Sequence, residues 1–292
     1  MWILCEWCLK HGDGGKWYFN ARNYQRELAE ETNAVEHLNE ILKVFDRSGV
    51  TPVYGIKFAG SGYKLQTPII GRVVRGIINR VLHNEGPKRK QIGVDGHFGQ
   101  VLPIEDASYI VENLAAEPLT LNYCVCRYMC RGEKEARCIV FGVMSEVADK
   151  LPRYIPENVK RPMDREETTR ILESFSEEGL VSTVWFHPVP YITAICSCED
   201  PNCMGIRMRR DYDIGLLYKA EYVIQLNPDL CEGQRDCVIA CQFGALSFSP
   251  TKNMVNVDLD KCYGCGNCRN VCQYKALTLV PRSDIKQVAG RY

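Results

Sequence analysis

Apolar positions recur along this chain with helical spacing in four places and with strand spacing in two. Between Arg22 and Phe45 the residues Leu28, Val35, Leu38, Leu42 and Phe45 share one stripe, which predicts a long amphipathic helix. GRVVRGIINRVL (71–82) pairs its apolar residues (Val73-Val74, Ile77-Ile78, Val81-Leu82) above a narrow edge of Arg72, Arg75 and Arg80. In LPIEDASYIVENLAAEP, Ala107, Ile110, Val111 and Leu114 form a helical face that Pro118 ends. RPMDREETTRILESFSEEGLV predicts a further helix, with Asp164 as N-cap, Glu167 as its capping-box partner and Gly179 as the stop. VSTVWFHP and ITAICSC read as strands.

Composition narrows the function. The 292 residues carry no net charge and are 46% hydrophobic, which suits two or three small domains. Neutrality argues against nucleic acid as a partner, because phosphate binding needs a basic face. The opening apolar run is too short for a signal peptide, and no stretch reaches the roughly 18 apolar residues of a membrane span. A soluble, cytoplasmic protein is expected. In that reducing compartment the 16 cysteines are metal or redox groups before they are disulfides. They cluster as Cys5 and Cys8; Cys124, Cys126, Cys130 and Cys138; Cys196, Cys198 and Cys203; and seven from Cys231 to Cys272.

The last group is a repeat. Cys262, Cys265, Cys268 and Cys272 stand as C-x2-C-x2-C-x3-C, and Cys231, Gln234, Cys237 and Cys241 repeat the spacing with one substitution. Gly264 and Gly266 allow a tight loop on which three thiolates converge. The halves end alike, CQFGAL and CQYKAL, so two copies of a loop–helix–strand unit are expected. A zinc ribbon would use two separated C-x2-C pairs.

From about Ala220 to Val280 the chain resembles the two-cluster bacterial ferredoxins. The resemblance implies crossed ligation: Cys262, Cys265 and Cys268 with Cys241 around a complete [4Fe–4S] cluster, and Cys231 and Cys237 with Cys272 around the other. Gln234 stands at that second cluster's fourth corner. Three thiolates there hold a [3Fe–4S] cluster, or a [4Fe–4S] cluster with one non-cysteine ligand. The family's proline after each run is replaced by Gln242 and Gln273. Each restores a backbone N–H that could point at sulfur, which would raise the reduction potential.

The block CVCRYMCRGEKEARCIVFG, followed by ICSC, resembles an uncharacterised family of multi-cluster ferredoxin-type proteins of anaerobes, over about Leu102 to Arg209. It implies iron–sulfur binding and electron transfer and does not imply a substrate. Cys124, Cys126, Cys130 and Cys138 are the candidate ligands of a third cluster. Cys196, Cys198 and Cys203, with Cys5 or Cys8, are candidates for a fourth cluster or a zinc site. The C-x3-C-x2-C triplet of radical initiation is absent, since Glu133 stands where its last cysteine would be. Arg127, Arg131, Lys134, Arg137, Arg207, Arg209 and Arg210 interleave with these blocks. A cation about 7 Å from a cluster stabilises an added electron by roughly 2 kcal/mol at an effective dielectric near 20, on the order of 100 mV. Asp95 and His97 in GVDGHFGQ, and His11, His83 and His187, have no identifiable partners, and no catalytic triad or carboxylate pair stands out.

The expected architecture is α+β, with a two-cluster ferredoxin fold appended to a cysteine-rich mixed α/β region. Its parts are an N-terminal region (1–103), an iron–sulfur module (104–219), the ferredoxin domain (220–282) and a tail (283–292). The expected function is electron transfer through two or three [4Fe–4S] clusters and one [3Fe–4S] variant, as a subunit of an anaerobic redox complex. Partners would be redox subunits or a soluble carrier; residues 69–90 read as a core helix with a wet edge or as a contact to a membrane surface or an acidic partner. One alternative is an enzyme with an open iron at the Gln234 corner; another is a zinc-stabilised binding module with a ferredoxin tail. Anaerobically purified protein is expected to hold about twelve irons or more and to bleach with dithionite. A colourless preparation with about two zinc ions per chain would contradict this.

Overall fold

The computed structural model describes residues 16–39, 69, 72–73, 99–148, 161–186, 190–212 and 217–291. A seven-stranded sheet organises most of them. Its strands are β1 (Gly99–Val101), β2 (Leu119–Tyr123), β3 (Ala136–Phe141), β4 (Arg161–Met163), β5 (Val181–Phe186), β6 (Ile192–Cys198) and β7 (Leu217–Tyr218). Their order is β4-β2-β3-β6-β5-β1-β7. All neighbours are antiparallel except β1 and β7, which run parallel. The four central strands are rich in β-branched and aromatic residues, so they pack well on a pleated surface buried on both faces.

Besides the N-terminal α1 (Arg26–Glu31), the described helices of this part of the chain are α2 (Ile104–Asn113), α3 (Val125–Arg131), α4 (Val143–Ala148), α5 (Arg165–Glu177) and α6 (Met204–Tyr212). Helices α2 and α5 pack on the sheet through the stripes their sequences predict. Ala107, Ile110 and Val111 meet Leu172 and Phe175 in a core shared with Ile139, Phe141, Val184 and Ile195. The Asp164 carboxylate accepts the Glu167 N–H at 2.7 Å, satisfying a donor that the helix itself cannot pair. Gly179 closes the element at φ +86°.

The long helix expected from Arg22 to Phe45 is broken within the described residues. Residues 21–24 form a 3-10 turn, α1 ends at Glu31, and helical backbone resumes over 34–39. Asn33 at φ +51° makes the break, a conformation that asparagine tolerates better than most side chains. Leu28 and Leu38 are buried, while Val35 is 41% exposed, so the stripe does not face one neighbour along its length. Trp17, Tyr18 and Tyr24 enter the main core instead. Trp17 Nε1 donates to Gln100 at 2.7 Å, and the Tyr18 hydroxyl donates to Asp106 at 2.6 Å. N-terminal residues therefore complete the core of the middle region.

A second core lies at the C-terminus. Its elements are β8 (Tyr222–Leu226), α7 (Asp236–Ala240), β9 (Leu246–Ser249), β10 (Met254–Val257), α8 (Asn267–Asn270) and β11 (Leu277–Pro281). Strands β9 and β10 form a hairpin, while β8 pairs antiparallel with β11, joining the ends of the two repeats. Backbone conformation repeats with the sequence. Gly233 and Gly264 both lie at φ +71°, Arg235 and Gly266 at +72° and +87°, Gly244 and Lys275 at +64° and +51°. At Gly264 a Cβ would stand 2.1 Å from the Tyr222 carbonyl oxygen, so only glycine fits that approach. Across the described residues, no helix is long and apolar enough to cross a membrane.

The Asp164→Ala variant is expected to lose about 1 kcal/mol of stability, read as a lowered midpoint of urea unfolding with unchanged slope.

Candidate metal centres

The C-terminal thiols gather in two groups, and each group draws on both repeats. Cys241, from the end of α7, lies in the electrostatic neighbourhood of Cys262, Cys265 and Cys268. Cys237 neighbours Cys231 and Cys272, the latter from the second repeat. Burial pushes the Cys265 thiol up to about 12 and raises those of Cys237, Cys262 and Cys268, with neighbouring thiols adding to the rise. Such thiols keep their protons until a metal displaces them.

Backbone donors point at the sulfurs. The Ile224 N–H meets Cys262 Sγ at 3.4 Å and the Ala245 N–H meets Cys241 Sγ at 3.3 Å. Beneath Cys262 lies Arg282, fully buried, donating to the carbonyls of Ala220, Tyr222 and Cys262 at 2.8 to 2.9 Å. Its charge opposes the effect of burial on the Cys262 thiol. Nothing in the spacing of the cysteines marks Arg282; its role comes from the strand pairing that brings β11 beside β8.

The second group lines a narrow, partly open crevice of about 20 Å³ with Leu226, Gly233, Val271 and Tyr274. Gln234 belongs to that lining and is itself exposed. Three thiols and an amide at the rim therefore surround one space.

In the middle region the structure joins two segments that are 58 residues apart in sequence. Strands β3 and β6 pair with Cys138 directly opposite Cys196. Cys198 lies two residues on, hence on the same face. Cys124 caps α3 and Cys126 sits in its first turn. Cys203 immediately precedes α6 (Met204–Tyr212). The neighbouring Cys126 and Cys138 thiols draw the Cys124 thiol well down, and Cys124 in turn helps push theirs well up. Cys198 and Cys203 share a buried cluster on which Cys196 packs, and electrostatic influence runs between Cys126 and Cys203, Cys138 and Cys196, and Cys198 and Cys124. Strand register, the start of α3 and the shared cluster bring these six thiols into one region. Cys130 lies one turn beyond Cys126 on α3, with its side chain outside the described set. Cys5, Cys8, His11, His83, Asp95, His97, His187 and most of segment 69–90 also lie outside the described residues.

No three His, Cys, Asp or Glu side chains, among the described residues, stand in the geometry that holds a single metal ion. A cubane asks for a different arrangement, in which each thiolate binds its own iron. Soft thiol donors, burial and N–H groups aimed at sulfur fit that kind of group.

Arg127, Arg137, Arg207 and Arg210 have acidic partners. Arg127 is buried between Glu135 and Glu199, the latter at 2.8 Å. Arg137 meets Glu178 at 2.8 Å, Arg210 meets Asp200 and Asp211 at 2.8 Å, and Arg207 pairs with Asp211. Each carboxylate offsets its cation's effect on a nearby cluster, so the upward shift expected from arginine alone is reduced.

Gln242 and Gln273 take different roles. Gln273 is exposed. The Gln242 side chain accepts the Asp200 N–H at 2.8 Å and donates to the Gly179 carbonyl at 2.7 Å. Asn267 donates to the same carbonyl at 2.6 Å. Residues beside both cysteine runs thus dock the C-terminal domain on the turn after α5 and on the Cys196–Cys203 segment.

Residues 223–273 match the model of the 4Fe-4S dicluster domain. The C-terminal domain is ferredoxin-type, and an iron–sulfur electron-transfer role goes with it. The matched residues run from β8 to the last cysteine of the second repeat, so they contain both thiol groups of that domain. No curated protein matches the chain.

Two substitutions probe this framework. Arg282→Met would remove three hydrogen bonds to carbonyls, two of them buried, and is expected to cost about 3 kcal/mol or more, seen as early loss of the C-terminal chromophore in urea. Gln242→Ala removes two docking hydrogen bonds, each worth about 1 kcal/mol. Faster amide exchange is expected at 199–203 and 179–180, with the C-terminal domain itself unaffected.

Proposed function

We propose that this chain is a multi-cluster iron–sulfur electron-transfer protein that works as a subunit of a redox enzyme complex. The observation that carries the reading is the sorting of the C-terminal thiols, with Cys241 packed beside Cys265 and acting on Cys262 and Cys268, and Cys231, Cys237 and Cys272 lining one crevice with Gln234. That sorting matches crossed ligation between repeats. The first four would hold a [4Fe–4S] cluster, and the other three a [3Fe–4S] cluster with Gln234 at the vacant corner. When bound, such clusters supply reversible one-electron chemistry.

The chain's own residues do the rest. Cys262 and Cys268 are buried, so solvent reorganisation around their cluster is small. The N–H groups of Ile224 and Ala245 and the buried Arg282 favour added negative charge, which raises the potential. The three-thiol group sits nearer the surface, with Cys231 and Cys272 half-buried and Gln234 exposed. That position suits exchange with a redox subunit or a soluble carrier. It also favours a second reading, in which an iron at the Gln234 corner is open to a small substrate.

Electron paramagnetic resonance of anaerobic protein tests both. Cys241→Ser is expected to alter the reduced [4Fe–4S] signal and spare the oxidised three-iron signal; the reverse pattern would refute crossed ligation. Gln234→Cys is expected to abolish the three-iron signal and add about one iron per chain. A wild-type signal that shifts on adding small ligands would favour the enzymatic reading over the relay.

A further inference from the structure

We propose that Cys124, Cys126, Cys138, Cys196, Cys198 and Cys203 form a single iron–sulfur site, whose cluster exchanges electrons with the one held by Cys241, Cys262, Cys265 and Cys268. It rests on the reading of the C-terminal domain as an iron–sulfur carrier. The linear spacing suggests two sites, one on residues 124–138 and one on 196–203. The pairing of Cys138 with Cys196 leaves no separation between them.

Burial comes first. Cys124, Cys198 and Cys203 are between 4% and 7% exposed, and all six are free thiols. Buried thiols this dense are a soft donor set of the kind that holds iron–sulfur clusters. Asn122 supplies an independent sign. It lies opposite Cys138 on β2, hence on the same sheet face, and is 3% exposed. Among the described residues neither its amide nitrogen nor its amide oxygen has a hydrogen-bond partner. A buried amide is rarely left so. Sulfide or thiolate sulfur of a cluster on these cysteines would accept its N–H. Thr183, opposite Cys196, already brings its hydroxyl to 3.2 Å from Cys198 Sγ.

The site also lies beside the C-terminal domain. Cys198 and Cys203 belong to a buried apolar cluster with Val181, Ile206, Phe243 and Tyr263, against which Cys196, Cys241 and Cys265 pack. Phe243 and Tyr263 stack at 4.0 Å between centroids, 10° from parallel, and each neighbours a cysteine run. Thiols of both sites thus line one dry contact, where an electron lost by one cluster reduces the other without crossing water.

The test compares Cys124→Ser/Cys126→Ser with Cys198→Ser/Cys203→Ser in the full chain, reconstituted anaerobically. The fourfold variant, left with two of the six thiols, is expected to lose about four irons, and neither pair more than that. Retention of the C-terminal signals reports that the variant folded and separates failure here from failure of the ferredoxin-domain reading. Additive losses of about eight irons would establish two sites and overturn the proposal, as would unchanged iron or zinc at these thiols. Should the variants not fold, fully reduced wild-type protein decides. Spin coupling that broadens the signals of two [4Fe–4S] clusters supports the proposal, and uncoupled or missing third-cluster signals refute it. Asn122→Leu is expected to lower this cluster's midpoint potential while keeping its iron; an unchanged potential would remove Asn122 from the site.

Discussion

Antiparallel pairing of β3 with β6 is the constraint on which the middle of this protein depends. Side chains directly opposite one another in such a pair share a face and lie within contact distance, so placing Cys138 opposite Cys196 forces two distant segments into one chemical environment. A shift of one residue would turn these thiols to opposite faces. The register is held by the hydrophobic core on the helical side, where Ile139 and Ile195 pack against α2 and α5. Packing on one face of the sheet thereby sets the chemistry on the other.

The C-terminal domain uses the same device at smaller scale. Each repeat is too small to bury its own apolar face, and the pairing of β8 with β11 closes the two halves over one core. That closure carries Cys241 and Cys272 across to the opposite repeat's thiols and brings Arg282 beneath Cys262. Docking on the main sheet then follows from polar groups next to the cysteines. The Gly179 carbonyl receives both Gln242 and Asn267, one from each repeat. Because these residues adjoin the cysteine runs, the domain interface and the redox site are one region.

Electrostatics in the two halves differ in kind. Around the middle thiols, cations and carboxylates alternate in a paired network, with Arg127 held between Glu135 and Glu199. Around Cys262, the Arg282 guanidinium is embedded among backbone carbonyls. A buried charge acts on its neighbours through low dielectric, whereas a paired one is largely offset. The C-terminal site is therefore the more strongly tuned of the two by the residues around it.

Local pattern determined a good deal on its own. The capped helix after Asp164, the strands at 181–186 and 192–198, the C-terminal repeat and its missing thiol at Gln234 are all written in residue spacing, because caps, turns and metal-binding loops are short-range devices. The uninterrupted helix from Arg22 was misjudged, since spacing does not show that Asn33 turns the chain or that Trp17 and Tyr18 belong to another core. Only the tertiary structure decided that the two middle cysteine blocks meet, that Asn122 stands among them, that Arg127, Arg137, Arg207 and Arg210 are paired, and that Gln242 is a docking residue. Those facts depend on strand register and on contacts between residues far apart in the chain, and the periodicity of a single segment carries no information about which segment it will face.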